Sequence, residues 1–471
     1  MMTSDYYPLS DVLAVARAHP LYSDATYPPT REELPSTLAN ARESTKDLGL
    51  SSFPLSGKDE LYRQIARLTI DQDPRNGWRH ETYISTTGGG SGGAPMVFAT
   101  DSVETRRQRA VIGSLVQACG ILGPGDWVLT MHVAGYLYRA LDLISEIAEG
   151  AGATALCAGP DMPLDEVVDA IIQYRVNAVA GDAGQIVQLV RHIAGLPEEQ
   201  KSTLRTQVTK AIYTSESMTP AQRRFVGSIF PNIAISSIIG SAEAGPWAAS
   251  TAELTESAMA EEYADFVFDD RLMHLEVLPF SIKDNPDSQT PTVPDGEKGL
   301  LVQTSLQRLR NPLVRYICGD VASLHPLPES IRARLAPETA AHYRIVRIYG
   351  RDRQMSFDWY GEYFDFSTVQ ALFKTESWGI LQYQIIRRYP DATEPDQQGL
   401  DVVLEVRLLR DPGGANKISE DELTKKIRSL FHVFDFNEEL WDLKYLPDYS
   451  GFMRSTTGRK VMNFVDLTRK K

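Results

Sequence analysis

Ser85-Thr86-Thr87-Gly88-Gly89-Gly90-Ser91-Gly92-Gly93-Ala94-Pro95 sets hydroxyls and five glycines between two apparent strands. Glycine lets backbone N–H groups turn toward an anion with no Cβ in the way, and neighbouring hydroxyls add donors. The run therefore reads as a phosphate-binding loop over residues 85–95, with a surface hairpin as the plainer alternative. Two named patterns overlap in it. Gly88, Gly90 and Gly93 fit G-x-G-x-x-G, which a run this rich in glycine satisfies by composition alone. A dinucleotide fingerprint opens straight into a helix, whereas Pro95-Met96-Val97-Phe98 reads as extended. Gly89-Gly90-Ser91-Gly92-Gly93 fits G-x-S-x-G, and that nucleophile elbow also needs a helix directly after the turn. No G-x-x-x-x-G-K-[ST] occurs, which excludes a Walker-type loop. What remains is a glycine loop joining strand to strand.

Downstream, extended apolar segments alternate with amphipathic ones. Trp127 to Thr130, Ala153 to Leu156, Asn177 to Ala180, Ala211 to Tyr213 and Ile233 to Ile239 read as strands. Between them, Val167, Val168, Ile171 and Ile172 fall at helical spacing, as do Ile186, Leu189 and Ile193. Such alternation predicts an α/β fold with a largely parallel, helix-covered sheet, and ligands bind such sheets in loops beyond the carboxyl ends of the strands. Two of those loops are polar: Thr214-Ser215-Glu216-Ser217 and Gly240-Ser241-Ala242-Glu243-Ala244-Gly245. After residue 260 short strands follow one another, including one over Leu313 to Cys318, and predict a small β subdomain over about 260–345. A second unit is expected from residue 351, giving domains 1–350 and 351–471.

A chain of 471 residues exceeds one typical core. The net charge of -14 argues against a nucleic-acid or anionic-membrane surface, both of which need clustered Lys and Arg. Cys119, Cys157 and Cys318 lie far apart with no zinc-type spacing, so a structural zinc and a disulfide framework are not expected. No apolar run approaches a membrane span, and the first residues lack a signal-peptide pattern. These features read as a cytoplasmic protein.

Four stretches in one order carry a resemblance: the glycine loop, Gly240-Ser241-Ala242-Glu243, Val314-Arg315-Tyr316-Ile317-Cys318-Gly319-Asp320 and Tyr349-Gly350-Arg351-Asp352. Over roughly residues 82 to 460 the chain resembles the adenylate-forming superfamily, closest to its phenylacetate–coenzyme A ligase branch. The resemblance implies a large N-terminal domain and a small mobile α+β C-terminal domain. It implies activation of a carboxylate with ATP and Mg2+ to an acyl-adenylate, release of pyrophosphate, and acyl transfer to coenzyme A or, alternatively, to an amine. By the same resemblance Thr87, Gly88, Gly90, Ser91, Gly92 and Gly93 hold phosphates. Glu243 holds magnesium beside Ser241 and Ala242, Glu216 lines the adenine side, and Asp320 and Arg351 reach the ribose. Lys460 contacts the carboxylate and the α-phosphate, with Arg459 as the rival for that place.

An acyl pocket follows by analogy between the 132–138 loop and the 240s loop, lined by His132, Tyr136, Tyr138, Gly240 and Trp247, and its aromatic residues fit an aryl or arylacetic acid. The chain departs from the family pattern at Ala94, where the family loop carries lysine, and at Gly92, in place of a threonine. A serine hydrolase acting through Ser91 and a non-catalytic nucleotide-binding homologue stay open as other classes. So does assembly as a homodimer.

Overall fold

The computed structural model describes residues 5–44, 49–86, 97–135, 137–214, 218, 220–257, 263–283, 287–351, 356–373, 375–390, 402–410, 418–453 and 462–468. The described residues divide at Gly350/Arg351 into two compact units.

The larger unit opens with the helices Leu9–Arg17, Leu34–Ser44 and Lys58–Ile70. An antiparallel hairpin follows, β1 (Thr82–Thr86) and β2 (Val97–Asp101). Asp101 ends β2 and caps the helix Ser102–Ala118, its carboxylate accepting from the N–H groups of Val103 and Glu104 at 2.8 and 3.3 Å. Capping satisfies donors that the first turn leaves without intrahelical partners. Along the chain come β3 (Trp127–Thr130), the short antiparallel pair β4 (Ala134–Gly135) and β5 (Tyr138–Arg139), and the helix Ala140–Gly150. That helix packs so closely on Ser102–Ala118 that a Cβ at Gly113 would lie 2.5 Å from the Gly150 backbone.

Next are β6 (Thr154–Cys157), the helix Leu164–Tyr174, β7 (Ala178–Asp182), the helices Ala183–Ala194 and Glu198–Gln207, and β8 (Lys210–Thr214). The helix Pro220–Ile229, β9 (Ala234–Ser241) and β10 (Gly245–Ser250) follow. Then come β11 (Ala264–Asp269), β12 (Met273–Leu278), β13 (Gly299–Ser305), β14 (Tyr316–Pro326) and β15 (Tyr343–Arg351).

All of these strands except the two short pairs form one eleven-stranded sheet in the order β12-β13-β14-β15-β11-β10-β9-β8-β7-β3-β6. The run from β6 to β9 is parallel, and β9 turns antiparallel into β10 and β11. The strands after residue 260, β11 to β15, extend this same sheet. One expectation needs correction here. The strand expected over Leu313 to Cys318 begins at Tyr316 instead, because Arg315 adopts a left-handed φ of 47° and breaks extension.

The second unit has its own core. The hairpin β16 (Ser356–Trp359) and β17 (Glu362–Asp365) lies with the helix Phe366–Phe373, while β18 (Ile380–Arg388), β19 (Val403–Arg410), β20 (Trp441–Tyr445) and β21 (Phe464–Asp466) form a sheet in the order β20-β19-β18-β21. Phe357, Trp359, Phe364, Phe373 and Phe431 fill it with the helix Glu420–Leu430. Among the described residues no helix is long and apolar enough to cross a membrane.

Candidate active site at the carboxyl ends of the central strands

Register brings the ends of β3, β7, β8 and β9 to one edge, with Thr130 level with Ala180, Asp182 with Thr214, and Thr214 with Ile238. His132 follows β3 and is 3% exposed. Its Nδ1 lies 2.9 Å from the Thr130 hydroxyl and its Nε2 2.7 Å from that of Thr214. Burial pushes the imidazole down to about 4, so it is neutral at pH 7 and joins the ends of β3 and β8. The same edge is braced by Gln185, whose amide donates to the Met131 carbonyl at 2.8 Å while its carbonyl closes a capping box with Asp182.

Ser241 to Gly245 form the tight turn between β9 and β10. The Ser241 hydroxyl accepts from Ala244 N–H at 3.0 Å, and Gly245 takes a φ of +71°. Gln108 donates to the carbonyls of Ala244 and Pro246 at 3.0 and 3.2 Å, and the buried Arg308 donates to the carbonyl of Glu243. Burial lowers Arg308 to about 10, and Glu104 and Glu243 offset part of that, so it stays a cation. At Gly240, a Cβ would meet the Gly245 carbonyl at 2.9 Å, so the two arms are in backbone contact. Ala242 is half-buried within the turn.

Glu243 is 8% exposed, and its Oε1 accepts from the hydroxyls of Tyr62 at 2.8 Å and Tyr316 at 3.4 Å. Oε2 has no hydrogen-bond partner among the described residues. No group of three His, Cys, Asp or Glu side chains gathers there or elsewhere among the described residues. A cation at Glu243 therefore fits only as an ion that takes most of its ligands from a bound phosphate and water, which is how Mg2+ is commonly held.

Asp320 lies in a bulge of β14, where one residue of β13, Leu301, faces three of β14, Cys318 to Asp320, between the pairs Leu300–Val321 and Val302–Ile317. Gly319 takes a φ of +86° inside it, and Asp320 Oδ2 is 3.4 Å from the Cys318 sulfur. Bulges redirect side chains out of the ladder's alternation. Tyr138 is half-buried in β5, and the hairpin it belongs to is tied to the end of β1 by the Thr86 hydroxyl, which donates to the Leu137 carbonyl at 2.5 Å. The start of the glycine loop thus abuts the 130s loop. Trp247 does not line an open pocket: it is 3% exposed in the core, edge-on to Phe268 at 6.5 Å. Its apolar volume serves the sheet.

Arg351 ends β15, with its side chain outside the described residues. Thr87, Gly88, Gly90, Ser91, Gly92, Gly93, Tyr136, Glu216 and Lys460 also lie outside them. Either side of Glu216, Arg223 fixes what is described: its guanidinium donates to the Tyr213 hydroxyl at 2.9 Å, the Met218 carbonyl at 3.2 Å and the Thr255 carbonyl. Tyr62, Tyr316, Arg308, Gln108 and Arg223 are the residues that sequence reading missed. Only Tyr316 lay inside a stretch already singled out.

No protein-family model and no curated protein matches the sequence. Solved structures do match. A 2-hydroxyisobutyryl-CoA ligase, solved with 2-HIB-AMP and CoA in its thioesterification state, is 17% identical with a TM-score of 0.65 over 97% of this chain and 88% of that one. The amide bond synthetase McbA from Marinactinospora thermotolerans is 14% identical with a TM-score of 0.52 over 81% of this chain and 68% of that one. A likeness that extends over 97% of this chain and 88% of the first of these gives this protein the fold of that 2-hydroxyisobutyryl-CoA ligase.

Proposed function

We propose that this chain is a ligase that activates a carboxylic acid with ATP as an acyl-adenylate, releases pyrophosphate, and passes the acyl group to coenzyme A. The observation that carries the reading is Glu243: a carboxylate just past the end of a central strand, with one oxygen held by two phenols and the other without a hydrogen bond among the described residues. That is what a hard cation shared with phosphate oxygens asks of a protein. When bound, magnesium supplies charge neutralisation at the phosphates.

The rest falls to the chain. Thr87, Ser91 and the N–H groups of Gly88, Gly90, Gly92 and Gly93 donate to phosphate oxygens, a task that rests on them because Ala94 brings no charge. Glu216 flanks the adenine, Asp320 accepts from ribose hydroxyls, and Arg351 reaches the same sugar. Attack of a carboxylate on the α-phosphorus brings two anions together, and Lys460 neutralises the charge that develops there. One such donor is worth about 3 kcal/mol in related transition states. Tyr136, Tyr138 and the neutral His132 suit an aryl or arylacetic acid of the kind the phenylacetate–coenzyme A ligase branch uses. The likeness to McbA supports an amine as the alternative acceptor.

The test is carboxylate-dependent exchange of labelled pyrophosphate into ATP, run across aryl, arylacetic, fatty and amino acids with no acceptor present. Exchange is expected with an aryl or arylacetic acid, to be lost in Lys460→Ala while ATP still binds. Adding coenzyme A or an amine then identifies the acceptor from the product. No exchange with any acid and no ATP binding would overturn the ligase reading.

A further inference from the structure

We infer that Tyr62 and Tyr316 are the positioning residues of the Glu243 carboxylate, jointly occupying Oε1 so that Oε2 alone is offered to a divalent cation. The inference rests on the proposed function for the identity of that cation. Three elements far apart in sequence converge on this one side chain. The segment before the helix Lys58–Ile70 docks beside β14: Ser56 N–H donates to the Arg315 carbonyl at 3.0 Å, and Ile317 N–H donates to the Ser56 carbonyl at 3.0 Å. Pairing there sets the helix, and with it Tyr62, next to Tyr316. The Tyr62 ring meets Phe98 edge-on at 6.0 Å, which fixes its direction without using the hydroxyl. Tyr316 is 3% exposed, and its backbone is set by the ladder with β13.

The main chain of Glu243 is held independently, by Arg308 on its own carbonyl and Gln108 on the next one. Backbone and side chain are thus anchored from opposite ends. A glutamate on a tight turn otherwise spreads over several rotamers, and ordering it has to be met at the moment of binding. Outer partners that orient a metal ligand are commonly worth ten- to a hundredfold in metal affinity.

The test uses the full chain and Mn2+ as the probe, with free Mn2+ followed by its electron paramagnetic resonance signal during titration in the presence of ATP. Tyr62→Phe keeps the ring and its contact with Phe98, so the fold is retained and only the hydroxyl goes. It is expected to weaken Mn2+ binding to the ATP complex about tenfold, with ATP affinity at saturating Mn2+ unchanged. Tyr316→Phe acts in the same direction and more weakly, because its contact is longer, and the double variant approaches Glu243→Gln. A Tyr62→Phe/Tyr316→Phe protein that titrates like wild type, while Glu243→Gln is shifted, would overturn the positioning role and leave the metal role of Glu243 standing. If Glu243→Gln also titrates like wild type, the metal reading itself fails and takes the positioning role with it.

Discussion

Arg308, Arg310 and Arg315 fall within eight residues, and each is almost wholly removed from water, at 6%, 0% and 1% exposure. Each meets the cost of burial differently. Arg310 donates to Asp101 at 3.1 Å and to the carbonyls of Gly77 and His80, while Arg308 serves the carbonyl of Glu243. Arg315 forms a two-pronged pair with Glu276 at 3.0 and 2.9 Å and donates to the carbonyls of Phe53 and Ser288 at 3.2 and 2.7 Å. Removing one partner of such a pair strands the other charge in the interior, which typically costs about 3–5 kcal/mol. Arg315→Ala is therefore expected to lower stability by about that much in urea denaturation. Replacing both partners with apolar residues, Arg315→Met with Glu276→Leu, should recover most of the loss. A single variant within about 1 kcal/mol of wild type would show that the pair contributes little here.

At the scale of elements, the turn between β9 and β10 is where geometry and chemistry meet most tightly. Gly245 has a left-handed φ, and a Cβ on it would fall 2.5 Å from Gln108 Oε1 and 2.9 Å from Arg308 Nη2. Gly245→Ala must push aside both groups that hold the turn. It should cost at least about 1 kcal/mol from the backbone alone, and should reduce pyrophosphate exchange more than tenfold by releasing Glu243. Exchange at the wild-type rate would mean that the turn tolerates displacement.

The parallel strands were legible in the sequence because strands covered on both faces are near-continuous apolar runs, as at Val128-Leu129 and Ala178-Val179-Ala180. The Gly240 to Gly245 turn was legible because its residue types are unusual between two such runs. The partners of Glu243 were not legible. Tyr62 lies 181 residues away on an amphipathic helix, where a tyrosine reads as ordinary packing. Nor was the break at Arg315, since an arginine carries no local signal for a left-handed φ. Trp247 misled for the same reason: an aromatic beside a polar loop looks like a pocket wall until its strand partners show it facing the core.

For the molecule as a whole, three buried titratable groups of the larger unit set opposing pH dependences. His19 and His132 are both lowered from 6.5 to about 4 by burial. The His19 ring accepts from Leu21 N–H at Nδ1 at 3.2 Å, faces Arg310, and so has no room for a second proton. Glu104 is raised from 4.5 to about 7, first by burial and then by Asp101, against the hydrogen bond from Tyr7 and the nearby Arg107. A base with a depressed folded pKa gives stability that is present above its unfolded value and lost as pH falls toward its folded one. The histidines therefore stabilise more as pH rises from about 4 to about 6.5. An acid with a raised folded pKa does the reverse, and Glu104 withdraws stability between about 4.5 and about 7. Each shift is worth on the order of 3 kcal/mol, so two histidines outweigh one glutamate until they are fully deprotonated. The urea midpoint should rise with pH up to about 6.5 and then fall slightly toward neutrality. Glu104→Gln keeps an acceptor for Tyr7 and for Leu309 N–H, so its midpoint should climb more steeply and lose the fall. His19→Gln should flatten the climb whatever its absolute stability. A Glu104→Gln protein whose midpoint still drops between pH 6.5 and pH 7.5, by as much as wild type, would assign the decline to other groups.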